Sequence, residues 1–152
     1  MSYDPITPKL RASLNKGPQG RAAASSLVER IEEKVYRAIL EPQNASQWET
    51  TISKSSDGVT TLKGPFGMAV VSKGFVLTET DVVARITYSK RLKDQKGSTY
   101  WKSVWELEAG TDGFVRSGGA NTPNLDIHEG NEAEQVMDIA ASILIALGRC
   151  TT

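Results

Sequence analysis

Val82-Val83-Ala84-Arg85-Ile86-Thr87-Tyr88 and Trp101-Lys102-Ser103-Val104-Trp105-Glu106-Leu107-Glu108 read as the two strands of one β-hairpin. Side chains alternate along a strand, so Val82, Ala84, Ile86 and Tyr88 share one face of the first. Trp101, Ser103, Trp105 and Leu107 share one face of the second. Setting Tyr88 opposite Trp101 places Ile86 against Ser103, Ala84 against Trp105 and Val82 against Leu107, so that large residues meet small ones. The segment between them, Ser89 to Ser98, carries Lys90, Arg91, Lys93 and Lys96 against Asp94 alone. It is the expected tip, cationic and flanked by Tyr88, Tyr100 and Trp101. On the opposite face the same register pairs Asp81 with Glu108, Val83 with Glu106 and Arg85 with Val104, and lets Arg85 reach Glu106 diagonally.

Working upstream, Met68 to Ser72 and Phe75 to Thr80 read as strands around a Lys73-Gly74 turn, with Phe75 to Tyr88 as one long bent strand. A helix beginning at Thr80 is the competing reading, but valine, isoleucine, threonine and tyrosine favour strand there. Trp48 to Lys54 and Val59 to Lys63 flank the turn signal Ser55-Ser56-Asp57-Gly58. A helix precedes them. Ser26 with Glu29 is a capping-box start, an earlier start in the alanine run being the alternative, and Leu27, Val28, Ile31, Val35, Ala38 and Ile39 form its apolar stripe. Pro42 ends it, because the residue before a proline leaves helical space. Residues 1–20, with Pro5, Pro8, Pro18 and no apolar period, read as a flexible or extended basic arm.

Downstream, Phe114-Val115-Arg116 is a short last strand and residues 117–131 a long Gly/Asn loop. Asn131 with Glu134 caps a helix ending at Gly148, with Val136, Ile139, Ala140, Ile143, Leu144 and Leu147 on one face and Ile145 on the other. The expected fold class is α+β: N-terminal helix, antiparallel meander of five or six strands, C-terminal helix, a two-layer sandwich. Residues 1–20 form the arm and 21–152 a single domain.

At 152 residues, 39% hydrophobic and 24% charged, the chain has the make-up of one soluble domain able to bury a core. No apolar run is long enough for a membrane span, and no secretory signal is evident. Cys150 is the single cysteine, which excludes an internal disulfide and fits a reducing cytoplasm. The sequon Asn44-Ala45-Ser46 has meaning only on a secretory route. Net charge is zero, yet residues 1–104 hold 16 Lys and Arg against 10 Asp and Glu, and residues 105–152 hold 2 against 8. Folding interleaves the two halves, or leaves a bipolar surface suited to head-to-tail association.

Groups able to do chemistry are sparse. His128, the only histidine, has Asp126 and Glu129 nearby but no nucleophile at a diagnostic spacing. One histidine and one cysteine cannot build a zinc site within a chain. Cys150 lies in a tail with no base arranged beside it. Ser117-Gly118-Gly119 lacks the lysine and helix start of a phosphate loop. Glu79, Asp81, Glu106 and Glu108 could hold Mg²⁺, Mn²⁺ or Ca²⁺, with His128 in support, as a metal-dependent hydrolase would require.

The scarcity of catalytic groups points away from an enzyme and from any cofactor. The leading expectation is a small cytosolic interaction protein that binds a protein partner or itself: a regulator, inhibitor, adaptor or assembly component. A phage-encoded origin fits the same profile. The alternative is nucleic-acid binding by the tip and the basic arm, with Lys90, Arg91, Lys93, Lys96 and Tyr100 as contact residues.

Overall fold

A computed structural model describes residues 7–15, 17–77, 82–110, 115–118 and 132–150. Its first three helices, α1 (Pro8–Leu14), α2 (Pro18–Leu40) and α3 (Pro42–Trp48), all start at a proline. Proline lacks the N–H that the first helical turn leaves without a partner, and its φ is already helical, so it starts helices as readily as it stops them. The Thr7 hydroxyl accepts the Leu10 N–H at 3.1 Å and completes the start of α1. Residues 8–14 are therefore helical where an extended or flexible arm was expected, and α2 begins eight residues before Ser26. Pro42 does end α2, but it also opens α3, which takes Trp48 out of the strand expected to begin there. The Asn44 amide ties α3 to α2 through the Ala38 carbonyl, at 2.8 Å. That bond and its burial withdraw the sequon asparagine from modification.

Strands β1 (Thr51–Lys54), β2 (Thr60–Gly64), β3 (Gly67–Leu77), β4 (Val82–Lys93), β5 (Thr99–Ala109) and β6 (Val115–Gly118) follow. Among the described residues they form one antiparallel sheet in chain order, closed by helix α4 (Glu132–Arg149). The expected order of helix, antiparallel meander and helix is what the chain forms.

Lys73-Gly74 is no turn. β3 runs straight through it, pairing Lys73 with Ile86 and Gly74 with Arg85 in a ladder from Ala69 to Leu77. Among the described residues the glycines with positive φ are instead Gly58, Gly67 and Gly97, at three hairpin ends. Two of those ends close alike. Ser55 and Asp94 each take up the backbone of a three-residue loop whose last residue is Gly58 or Gly97, and each pairs with Val59 or Ser98. Side-chain oxygen adds to both: Ser55 Oγ accepts the Val59 N–H at 3.0 Å, and Asp94 Oδ1 accepts those of Lys96 and Ser98 at 2.9 and 2.8 Å. Phe75 to Tyr88 is accordingly not one strand: β3 ends at Leu77 and β4 starts at Val82.

The tight Asp94 turn also resets the register of the β4–β5 hairpin. Lys93 pairs with Thr99 and Arg91 with Trp101, so the strands continue into the segment expected as tip. Tyr88 then faces Trp105, four residues from the expected partner. The two rings pack edge to face with centroids 5.8 Å apart, a contact that outweighs the rule of large against small. A bulge beyond Tyr88 makes Val104 an extra residue in β5 and reverses the alternation. Trp105 points into the core, whereas Trp101 points to the opposite face and is 51% exposed.

Leu62, Ala69, Val71, Ala84, Ile86, Tyr88, Trp105, Leu107 and Ala109 form the sheet side of the core. Against them lie Ala24, Val28, Ile31, Val35 and Ile39 of α2 and Val136, Ile139, Ala140, Ile143, Leu144 and Leu147 of α4. The whole expected face of α4 is buried, Ile145 is exposed, and each large aliphatic side chain so enclosed stabilises by about 1.5–3 kcal/mol.

The bulge makes a direct prediction. In urea unfolding, Trp105→Ala costs about 3–5 kcal/mol and Trp101→Ala no more than about 0.5 kcal/mol. Equal costs would contradict the register.

Candidate functional site

The expected contact residues separate in the structure. Lys90 lies on the inner side of β4, where its ammonium donates to the carbonyl oxygens of Leu147 at 2.7 Å and Cys150 at 3.0 Å. The last carbonyls of a helix lack partners and carry its negative dipole end, so Lys90 caps α4. Its stem crosses Gly67, where a Cβ would stand 2.8 Å from Lys90 Cε. Tyr100 also lies on the inner side, paired with Leu92, and is 40% exposed. Lys96 sits within the turn. Arg91 and Lys93 lie on the outer face, and among the described residues Arg91, Lys93 and Lys96 take part in no ion pair.

The β3 pairing ends at Ala69 with Lys90, and β6 pairs with β5 only from Glu106 to Ala109. Among the described residues Arg91–Lys93 and Thr99–Trp101 therefore pair with each other alone, a ribbon bearing Arg91, Lys93 and Lys96 with Trp101 and Tyr100.

The cross-strand registers define what else shares the outer face. Thr51 pairs with Lys63, Lys63 with Met68, and Arg91 with Trp101, while the Ala69–Lys90 pair brings Met68 beside Arg91. One row thus runs Thr51, Lys63, Met68, Arg91, Trp101, and all five are exposed. The next row is Ser53, Thr61, Val70, Ser89, Ser103, four hydroxyls and a valine. Lys63, Met68 and the two rows were not found from sequence. They become visible only when four registers are combined.

The acidic cluster takes a different form from the one expected. Arg85 pairs with Glu108, not Val104, and its Nε donates to Glu108 Oε1 at 2.6 Å. The expected diagonal to Glu106 is present at 3.9 Å. One guanidinium thus serves both carboxylates, and among the described residues no group of three or more potential ligands is placed to hold a metal. Glu79, Asp81 and His128 lie outside the described residues.

Beneath the sheet a chain of polar groups went unread in the sequence. Lys73, which the continuous β3 directs inward, pairs with Glu32 of α2 at 2.6 Å. Glu32 is 6% exposed and accepts the Tyr36 hydroxyl at 2.9 Å, and Tyr36 is hydrogen-bonded to Tyr88. Burial pushes both tyrosine hydroxyls well above their ordinary range, and the Glu32 charge adds to the effect. A cleft of about 150 Å³ opens nearby between α2, β3 and β4, lined by Val28, Glu29, Lys73, Phe75, Ala84 and Ile86 among others. That is about half the smallest usual ligand pocket.

No family model matches this chain, and no curated protein or solved structure matches it either. No described helix is long and apolar enough to cross a membrane.

Two outcomes test the geometry. Lys90→Met keeps the apolar stem but removes both bonds to α4, and lowers stability by about 1.5–3 kcal/mol in chemical denaturation. The tyrosines govern the alkaline limit. Their folded pKa values are raised, so their contribution is complete below pH ~10 and is lost as pH rises beyond it, at about 1.4 kcal/mol per pH unit for each. Tyr36→Phe roughly halves that slope in urea midpoints measured from pH ~9 to ~11, and an unchanged slope contradicts the buried pair.

Proposed function

We propose that this protein is a small non-enzymatic interaction protein that docks an acidic macromolecule through the β4–β5 ribbon. One observation carries the reading: Trp101, 51% exposed, lies directly opposite Arg91 on a hairpin that also bears Lys93 and Lys96. An indole held in water gains most when a partner covers it, and tryptophan and arginine dominate the energetics of interfaces. The cations select a negatively charged partner and speed its approach. Lys90 is left out of this surface because its charge is engaged at the end of α4.

Two further features support a binding role over catalysis. Among the described residues no group of three or more potential ligands is placed to hold a metal, and the Glu106 and Glu108 carboxylates are engaged by Arg85. The lone Cys150 suits a reducing compartment, so the reading includes a cytoplasmic location.

Immobilised heparin serves as a general polyanion probe. The wild-type protein is retained and elutes with salt, whereas the triple variant Arg91→Glu, Lys93→Glu, Lys96→Glu passes through with an unchanged unfolding midpoint. Those substitutions spare Asp94 and Gly97, which hold the turn. A wild-type protein that is not retained, or a retained triple variant, removes the reading.

A further inference from the structure

We propose that the outer face of the sheet binds single-stranded nucleic acid, laid across the strands along the Lys63–Met68–Arg91–Trp101 row. This rests on the reading above, that the ribbon docks an acidic macromolecule, and names which one.

The face is open. The core residues of α2 and α4 belong to the other side of the sheet, and a Cβ added at Gly74 on the outer side meets nothing within 4 Å. Thr51, Ser53, Lys63, Met68, Ser72, Arg91, Trp101 and Ser103 of that side are all exposed. Neighbouring strands lie about 4.8 Å apart, so Lys63 and Arg91 stand about 10 Å from each other, with Met68 between them. Trp101 follows one strand further on. Cation, thioether, cation and indole therefore alternate with what a single strand offers, since phosphates take the charges and unpaired bases stack on flat or polarisable side chains.

The adjoining row adds hydrogen-bonding capacity. Ser53, Thr61, Ser89 and Ser103 can donate to phosphate or sugar oxygen and accept from base edges. The carboxylates of Glu106 and Glu108 lie off the Lys63–Met68–Arg91–Trp101 row. They lie in the third and fourth rows, where Arg85 offsets one of their two charges, and Glu106 reaches the adjoining row only through the Ser103 hydroxyl at 3.5 Å.

A duplex fits poorly. Its base faces are already stacked, and no described element rises from the outer side to enter a groove. An acidic peptide satisfies the cations but has no flat rings to cover Trp101.

The test is fluorescence anisotropy with labelled oligo(dT) and oligo(rU), a mixed-sequence duplex of equal length, and poly-glutamate, over a salt series. Oligo(dT) or oligo(rU) binds the wild-type protein more tightly than the duplex. Trp101→Ala weakens it by about fivefold to a hundredfold without altering the salt slope. Lys63→Gln and Arg91→Gln each reduce that slope by about 0.7. Both single strands failing while poly-glutamate or heparin binds overturns this inference and leaves the ribbon reading standing. No binding to any polyanion removes both. Equal affinity for duplex and single strand, with Trp101→Ala indifferent, also overturns it.

Discussion

The edge-to-face contact of Tyr88 with Trp105 organises the molecule. It lies beneath β4 and β5, where the helices close over the sheet, and it joins the two strands at the last pair before the bulge. One residue beyond it, the bulge at Val104 turns the alternation over. If β5 ran without the bulge, Trp101 and Trp105, four residues apart, would both face the core, and Tyr100 would take the outer side in place of Trp101. Fold and surface are thus set by one local irregularity: the same strand contributes an anchor to the interior and an indole to solvent.

A second constraint follows from placing a carboxylate below the sheet. Glu32 is nearly enclosed, and a buried charge is tolerated only where charge and hydrogen bonds answer it. Lys73 supplies the charge from β3, while Tyr36 supplies a hydrogen bond and relays the contact to Tyr88. The arrangement ties α2 to the two central hairpin strands through directional bonds, where apolar packing alone would permit sliding. It also explains why β3 must continue through Lys73-Gly74, since a turn there would take the ammonium away from its partner.

Much of the fold was legible in residue pattern. The stripes of α2 and α4 repeat at helical spacing, and the sheet order follows from strands joined by short loops. Ser55-Ser56-Asp57-Gly58 announced its turn through a glycine suited to positive φ. What failed has specific causes. Thr7-Pro8, Gly17-Pro18 and Glu41-Pro42 were taken as breaks, although proline at a first helical position is a start signal. Lys73-Gly74 resembled a turn because a glycine in sequence does not reveal whether its φ is positive. The hairpin register was judged by side-chain size, whereas Asp94 and Gly97 dictated where the turn closes. Val104 bears no mark of a bulge. Lys90 could not be recognised as a cap, since its acceptors lie 57 and 60 residues away. The surface suffered most from these errors: four cations were grouped as one tip, and the structure divides them between a helix end, an outer face and a turn.

The meander has a consequence for how this chain is made. Each described strand pairs with its sequence neighbour, so the sheet can zip up through local contacts as it leaves the ribosome. The apolar underside, however, is completed by the last helix, residues 132–149. A nascent chain halted before that point carries a formed sheet whose greasy side is only half covered, the state most prone to clump with its neighbours. The eighteen residues of α4 thus close the side of the sheet that the meander by itself leaves open.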